Sequence, residues 1–218
     1  HMGQNARALP GVIRAVATVV PSLEPVEAAY ARWLDYVPLA RGRVPPASAG
    51  SWGAPAVAGR PYLVMGPASG EPVFLRFVEG PVPAGYRALT THGWNATEIL
   101  CEDPDALAAR FAASPFRIIG EPRSLTRFPM IRAMQVLGPA GECLYFTRVG
   151  AGSGLDLAAA RGFVDRVFIV VAGGAPLRPM LRWYQAFGNA LDPPPFTPVR
   201  VLSWANGLPE DSLHAHAL

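Results

Sequence analysis

The sequence predicts an α+β protein built from tandem units of strand, helix and antiparallel strands (βαβββ), whose curved mixed sheets surround a cleft. Three observations carry this reading. A strand followed by a capped or proline-started helix recurs three times. Hairpin-length turns follow the first two helices. The units are spaced by roughly seventy to eighty residues, too long for a solenoid repeat and right for a small α+β unit.

The elements follow in order. "GVIRAVATVV" (11–20) is a β-branched strand. "PSLEPVEAAYARWLDYV" begins with Ser22 as the expected cap, has Glu24 and Glu27 near the positive end of a helix, and continues with apolar residues at helical spacing. "RPYLVMG" and "EPVFLRFVE" are strands joined by "PASG". In the second unit Trp94–Cys101 alternates as a strand. Asp103 then serves as N-cap, with Pro104 in the first turn of a helix. "IRAMQVLG" and "ECLYFTRV" form a second hairpin across "PAG". The third unit opens with "VDRVFIVVA" (164–172), and "PLRPMLRWYQAFGNAL" reads as its helix. "PFTPVRVLSW" reads as a further strand. The expected domains are 11–80, 81–150 and 163–218, the last incomplete at its C-terminal side, with an unpaired sheet edge as the consequence.

Composition narrows the function. Of 218 residues, 50% are hydrophobic and 16% are charged, and the formal net charge is +3. A core is affordable and disorder is excluded. The 19 basic residues are arginines with no run longer than "RGR" at 41–43, so no nucleic-acid partner is expected. No apolar run is long enough for a membrane span, and "HMGQNARALPG" lacks the apolar centre of a signal peptide; His1 and Met2 resemble a cloning remnant. The expectation is a cytoplasmic protein. Its abundant Ala, Pro and Gly fit a high-GC bacterial genome. The two cysteines, Cys101 and Cys143, stand in apolar strands and are expected to be buried and reduced.

The βαβββ grammar, with "GPAGECLYF" closing the second unit much as "DP-x-G-x-x-x-E-L" closes a module in that group, resembles the vicinal oxygen chelate superfamily. This group includes glyoxalase I, bleomycin-resistance proteins, extradiol dioxygenases and methylmalonyl-CoA epimerase. The resemblance covers residues 11–149 and part of the chain from Phe163. It implies that two modules pair so that their sheets enclose a cleft, within one chain or in a homodimer. In metal-dependent members a His or Glu early in the first strand and a Glu in the last strand hold a divalent cation. Mapped here, the first-strand positions fall on Ala15, Ala96 and Arg166, and the last-strand positions on Phe74 and Tyr145. None suits a hard cation. The expectation is therefore no metal and no cofactor.

The remaining chemistry centres on Glu98. Period two places it on the face of Ala96, with Tyr145 and Thr147 on the matching face of the closing strand. A buried carboxylate has a raised pKa and becomes a better base near neutrality. Tyr145 can donate a hydrogen bond to a carbonyl or enolate oxygen, and Arg76 can grip a carboxylate. The expected partner is a small hydrophobic or aromatic ligand, with Phe74, Thr147, Trp52, Phe128, His92 and Arg166 as further lining. Trp33 and Trp183 are expected in the core. His214 and His216 form a His-x-His pair with no evident third ligand. Two function classes follow: a metal-independent isomerase, epimerase or lyase with Glu98 as base, or a metal-free protein that sequesters a flat ligand. A metal-dependent dioxygenase or glyoxalase requires a different strand register.

Overall fold

In the first unit, a computed structural model, which describes residues 12–153, 157–175, 177–185 and 196–215, shows β1 (Ala15–Val20), α1 (Leu23–Leu34), β2 (Tyr36–Arg43), a short α2 (Pro46–Ser51), β3 (Pro61–Pro67) and β4 (Phe74–Glu79). The four strands form one sheet in the order β1-β4-β3-β2. β1 runs parallel to β4 and the other pairs are antiparallel. Ser22 has the extended backbone of an N-cap, but its side chain makes no capping bond. The helix ends where Asp35 takes a left-handed φ of 57° and returns its N–H to the Tyr30 carbonyl.

The second unit repeats the plan: β5 (Gly93–Cys101), α3 (Pro104–Phe111), β6 (Arg117–Ser124), β7 (Ile131–Leu137) and β8 (Cys143–Val149). Here the cap is complete. The Asp103 carboxylate accepts from the backbone N–H of Asp105 at 2.9 Å and of Ala106 at 3.1 Å. β9 (Val164–Gly173) does not found a sheet of its own. It joins antiparallel to β5, giving a five-stranded sheet in the order β6-β7-β8-β5-β9. After α4 (Leu177–Gln185) come β10 (Phe196–Pro198), α5 (Arg200–Ala205) and β11 (Leu213–Ala215). The strand expected over "PFTPVRVLSW" is thus three residues of strand followed by a helical turn and a half. Val201, Leu202 and Ala205 fall at helical spacing and pack on one apolar cluster, which a strand would split between two faces.

The two units meet in one core. Leu63, Met65, Leu75 and Phe77 enter it from the first sheet, and Ile99, Cys101, Met134, Leu144 and Phe146 from the second. Tyr30 of α1 sits between them, with its ring 4.9 Å from Phe77 and 5.6 Å from Phe116. Phe116 stacks on Phe111 of α3 at 4.7 Å. The buried Tyr30 hydroxyl donates to Glu142 Oε1 at 2.8 Å, and Oε2 of the same carboxylate accepts from the Ala140 N–H. Burial pushes the pKa values of both groups up. The start of β9 is tied to the first unit. Tyr36 donates to the Asp165 carbonyl at 2.7 Å, and Ser69 donates to the Asp165 carboxylate at 2.5 Å.

The first and second units join through this core, to which α1 and α3 both contribute, and the sheet faces that carry Arg76 and Ala96 lie away from it. β9 adds a further first-strand seam, between β5 and β9.

Candidate functional site

Alternation along β5 sends Ile99 and Cys101 into the shared core, which leaves Ala96 and Glu98 on the outer face of the five-stranded sheet. The register supplies their neighbours. Glu98 stands opposite Tyr145 on β8 and opposite Ile169 on β9. Tyr145 stands opposite Gln135 on β7, and Thr147 opposite Ala133. Thr147 Oγ1 donates to Glu98 Oε1 at 2.6 Å. Among the described residues no Arg or His forms an ion pair with Glu98. Burial raises its pKa, and the Thr147 hydrogen bond partly offsets that. The Tyr145 hydroxyl is also pushed up, first by burial and then by nearby acidic groups including Glu98. Cys143 on the same face is pushed up to about 12 by burial, so its thiol is protonated and inert.

The face has a cover from its own chain. Val201, 4% exposed, packs with Leu89, Ala96, Cys143 and Tyr145, and Val199, Leu202 and Ala205 extend the contact. Two hydrogen bonds fasten the cover to the loop before β5: Asn206 Nδ2 donates to the Leu89 carbonyl, and Arg87 donates to the Ala205 carbonyl, both at 3.1 Å. Leu89 itself holds φ 66°, a left-handed geometry that a residue with a Cβ adopts at a cost. Ser203, fully buried, shares a 3.0 Å hydrogen bond with Nε2 of His214, which links α5 to β11.

The other expected site residues lie elsewhere. Arg76 and Phe74 alternate with the core residues Leu75 and Phe77, so they sit on the outer face of the four-stranded sheet, away from Glu98. Arg76 lies 4.7 Å over the ring of Trp52. Arg166 is ion-paired with Glu71 at 3.3 Å in the contact between β9 and the first unit. Phe128 lies in the β6–β7 connection beside Arg127. His92 is exposed at the edge of a groove of about 290 Å³ formed with Gly93, Ala172, Met180 and Tyr184. Trp183, expected in the core, is 58% exposed on α4, none of whose described residues is buried; Trp33 packs partly buried against the core. His216 lies outside the described residues.

Sequence reasoning missed Gln135 and the cover. Period two in "IRAMQVL" does put Gln135 on the Tyr145 face. Its side chain lies over Gly120, where an added Cβ would come within 2.1 Å of Oε1, so any larger residue at 120 would make the Gln135 amide swing aside. Nothing local in "VRVLSWA" announces which sheet it covers.

A divalent cation does not fit this donor set. Glu98 is the only carboxylate brought to the face by these registers, Ala96 stands where a first-strand ligand would be, and among the described residues no three of His, Cys, Asp and Glu gather. One carboxylate with two hydroxyls falls short of the three or more N, O or S protein ligands of a zinc site, or of the several oxygens of a harder cation.

Among solved structures, glyoxalase I from Zea mays matches 87% of this chain with a TM-score of 0.53 at 14% identity, and the match spans 57% of that enzyme. A glyoxalase family protein from Bacillus cereus matches over 67% of this chain and 97% of its own, at 16% identity and TM-score 0.49. A glyoxylase/bleomycin resistance protein/dioxygenase domain from Frankia covers 66% of this chain and 96% of its own, at 18% identity and TM-score 0.49. No protein-family model and no curated protein matches the chain in sequence. No helix among the described residues is long and apolar enough to cross a membrane. The two βαβββ units, each with its first strand parallel to its last, give this chain the fold of the vicinal oxygen chelate superfamily.

Proposed function

We propose that this chain is a metal-independent isomerase, epimerase or lyase acting on a hydrophobic, aromatic carbonyl compound, with Glu98 moving the proton. One observation carries the reading: a half-buried carboxylate on the outer sheet face, its pKa raised by burial, held by Thr147 and opposite Tyr145, with no described cation to neutralise it. A carboxylate so placed is a stronger base than one in water. Ionised Glu98 takes the proton from the carbon next to the substrate carbonyl, and the electron pair moves into the carbonyl as an enolate. Tyr145 donates a hydrogen bond to the enolate oxygen. Return of the proton to either face of the carbon gives epimerisation, and its return to the neighbouring carbon gives isomerisation. Thr147 orients the carboxylate. Ile169, Val171 and the α5 cover keep water out, and the cover must lift for substrate to enter.

The test is exchange of the α-proton in deuterated water, followed by NMR over a panel of aryl ketones and aryl hydroxyketones. Glu98→Gln is expected to slow exchange by about 10²–10⁴-fold while ligand affinity stays within a few-fold. An equally active Glu98→Gln protein, or a panel in which nothing exchanges, removes the proposal.

A sequestering protein is the second reading, and the outer face of the four-stranded sheet favours it. Trp52, 41% exposed, stacks on Arg76 there, a surface suited to a flat anionic aromatic. Under this reading ligands quench Trp52 fluorescence and bind equally well to Glu98→Gln.

A further inference from the structure

The outer face of the five-stranded sheet carries more polar groups than the proton transfer uses. Met134 and Val136 of β7 enter the shared core, so Ala133, Gln135 and Leu137 stand on the outer face with Glu98. Residues directly opposed on paired strands share a face. Gln135 is opposite Tyr145 on β8 and opposite Gly120 on β6, so Gly120, Gln135, Tyr145 and Glu98 form one row across four strands. The next row is Arg123, Ala133 and Thr147. Arg123 reaches this face through the register shift between Gly120 and Arg123. In an unbroken ladder Pro122 would stand opposite Ala133, and the one extra residue puts Arg123 there instead.

Neither Arg123 nor Gln135 is engaged within the chain. Arg123 is exposed and Gln135 half-buried. Among the described residues the Arg123 guanidinium forms no ion pair, not even with Glu121, the acid nearest to it in sequence. The Gln135 amide has no hydrogen-bond partner among them either, and since no buried side-chain polar atom there goes unpaired, this amide is open to solvent. Its Oε1 lies over Gly120, so the amide is turned toward β6, the strand of Arg123, and away from Tyr145. Arg123 stands three strands and two residues from Glu98, about 16 Å between Cα atoms. The lengths of the two side chains leave room for one benzene ring between their charged ends. Ala133, between Arg123 and Thr147, puts only a methyl group in the way.

We propose that Arg123 and the Gln135 amide hold a carboxylate on the substrate, one ring away from the carbonyl, and so select aryl carbonyl acids over neutral aryl ketones. The assignment rests on Glu98 being the base and narrows its substrate class. The guanidinium offers a carboxylate two parallel N–H donors, and the amide adds a third. With the carboxylate fixed there, the ring lies across β7 and β8, its carbonyl falls at Tyr145 and the carbon beside the carbonyl falls at Glu98. Two negative charges, substrate and base, are then kept a ring apart. Arg123 thus fills the place that the sequence suggested for Arg76, which the fold puts on the other sheet.

The experiment compares 4-acetylbenzoate with 4-acetylbenzamide, its neutral isostere, on the full chain. Two quantities are read: deuterium uptake by the acetyl methyl group in deuterated water, and Kd by ligand-observed NMR, which needs no turnover. Wild type is expected to take the acid with Kd and KM about 10-fold below those of the amide. Arg123→Ala should erase that preference by raising KM for the acid, with kcat within about two-fold of wild type. Gln135→Ala should reduce it by about three-fold. Arg127→Ala removes an equal charge from the adjoining β6–β7 connection and should leave it unchanged. A wild type that takes both compounds equally, or binds neither at about 10 mM, overturns the proposal. So does a preference that survives Arg123→Ala, or one that Arg127→Ala abolishes as well, which reduces it to net charge. Should neither compound exchange, the Kd ratio decides this proposal alone, and the loss of Glu98 as base is read separately.

Discussion

The two βαβββ units share a topology and a core and differ on their outer faces. The four-stranded sheet leaves Val19, Val37, Leu39 and Trp52 between 41% and 53% exposed. The five-stranded sheet buries Ala96, Cys143 and Tyr145 under Leu89 and Val201. The first face is apolar and carries one cation, Arg76, stacked on Trp52. The second carries a carboxylate with a hydroxyl on it. One frame therefore offers two environments. A carboxylate changes its chemistry only where the chain also supplies a cover that removes water.

The comparison breaks most severely at the core the units share. Phe146 is fully buried and touches Phe111 of α3. Phe146→Ala should cost about 3–5 kcal/mol in denaturant unfolding, and both units should lose structure in a single transition, because the largest core is shared between them. Two resolved transitions would show that the units fold independently.

The cover is the next largest effect. Val201→Ala should cost about 1–2 kcal/mol, and the loss should be local. Hydrogen exchange should quicken at residues 199–206 and at the outer face of β5, with β1–β4 unchanged.

Glu98 gives a smaller effect with a definite sign. Its pKa is raised in the folded protein, so the folded state holds this proton more tightly than the unfolded chain. The ionised form is a stability penalty that is full above the folded pKa and absent below the unfolded one. Glu98→Gln should therefore melt higher than wild type at neutral pH, and the gap should close as pH falls through the ordinary carboxylate range. A gap that widens toward acid would mean that ionised Glu98 is stabilised by a partner.

The exposed face should respond least. Trp52→Ala removes a stacking contact worth about 0.5–1 kcal/mol and should leave the pH dependence at Glu98 unchanged. A Trp52 substitution that altered that dependence would show that the two faces communicate.

Much of this was legible in the residues. Alternation in "WNATEILC" and "ECLYFTRV", counted from the strand–helix junctions, puts Glu98, Tyr145 and Thr147 on one face. Asp103 and Pro104 announce α3. β2 escaped because "YVPLARGR" has neither alternation nor a regular apolar content, and it becomes a strand only by pairing with β3. α5 escaped because "VRVLSWA" is a short apolar run, and such runs do not distinguish strand from helix by periodicity.

The sequence by itself determined the local grammar: which segments extend, which coil, where the chain turns, and which side chains share a face. Those depend on alternation, caps and turn residues within a few positions. Tertiary structure alone decided which faces meet. Arg76 and Glu98 were equally eligible for one cleft until Tyr30, Phe111 and Phe116 drew the two units into one core and left the two side chains on different sheets, on faces that lie away from it. It also decided that β9 completes the second sheet and that Val201 closes it. Such choices rest on apolar area buried between distant segments, a quantity that no window of sequence contains.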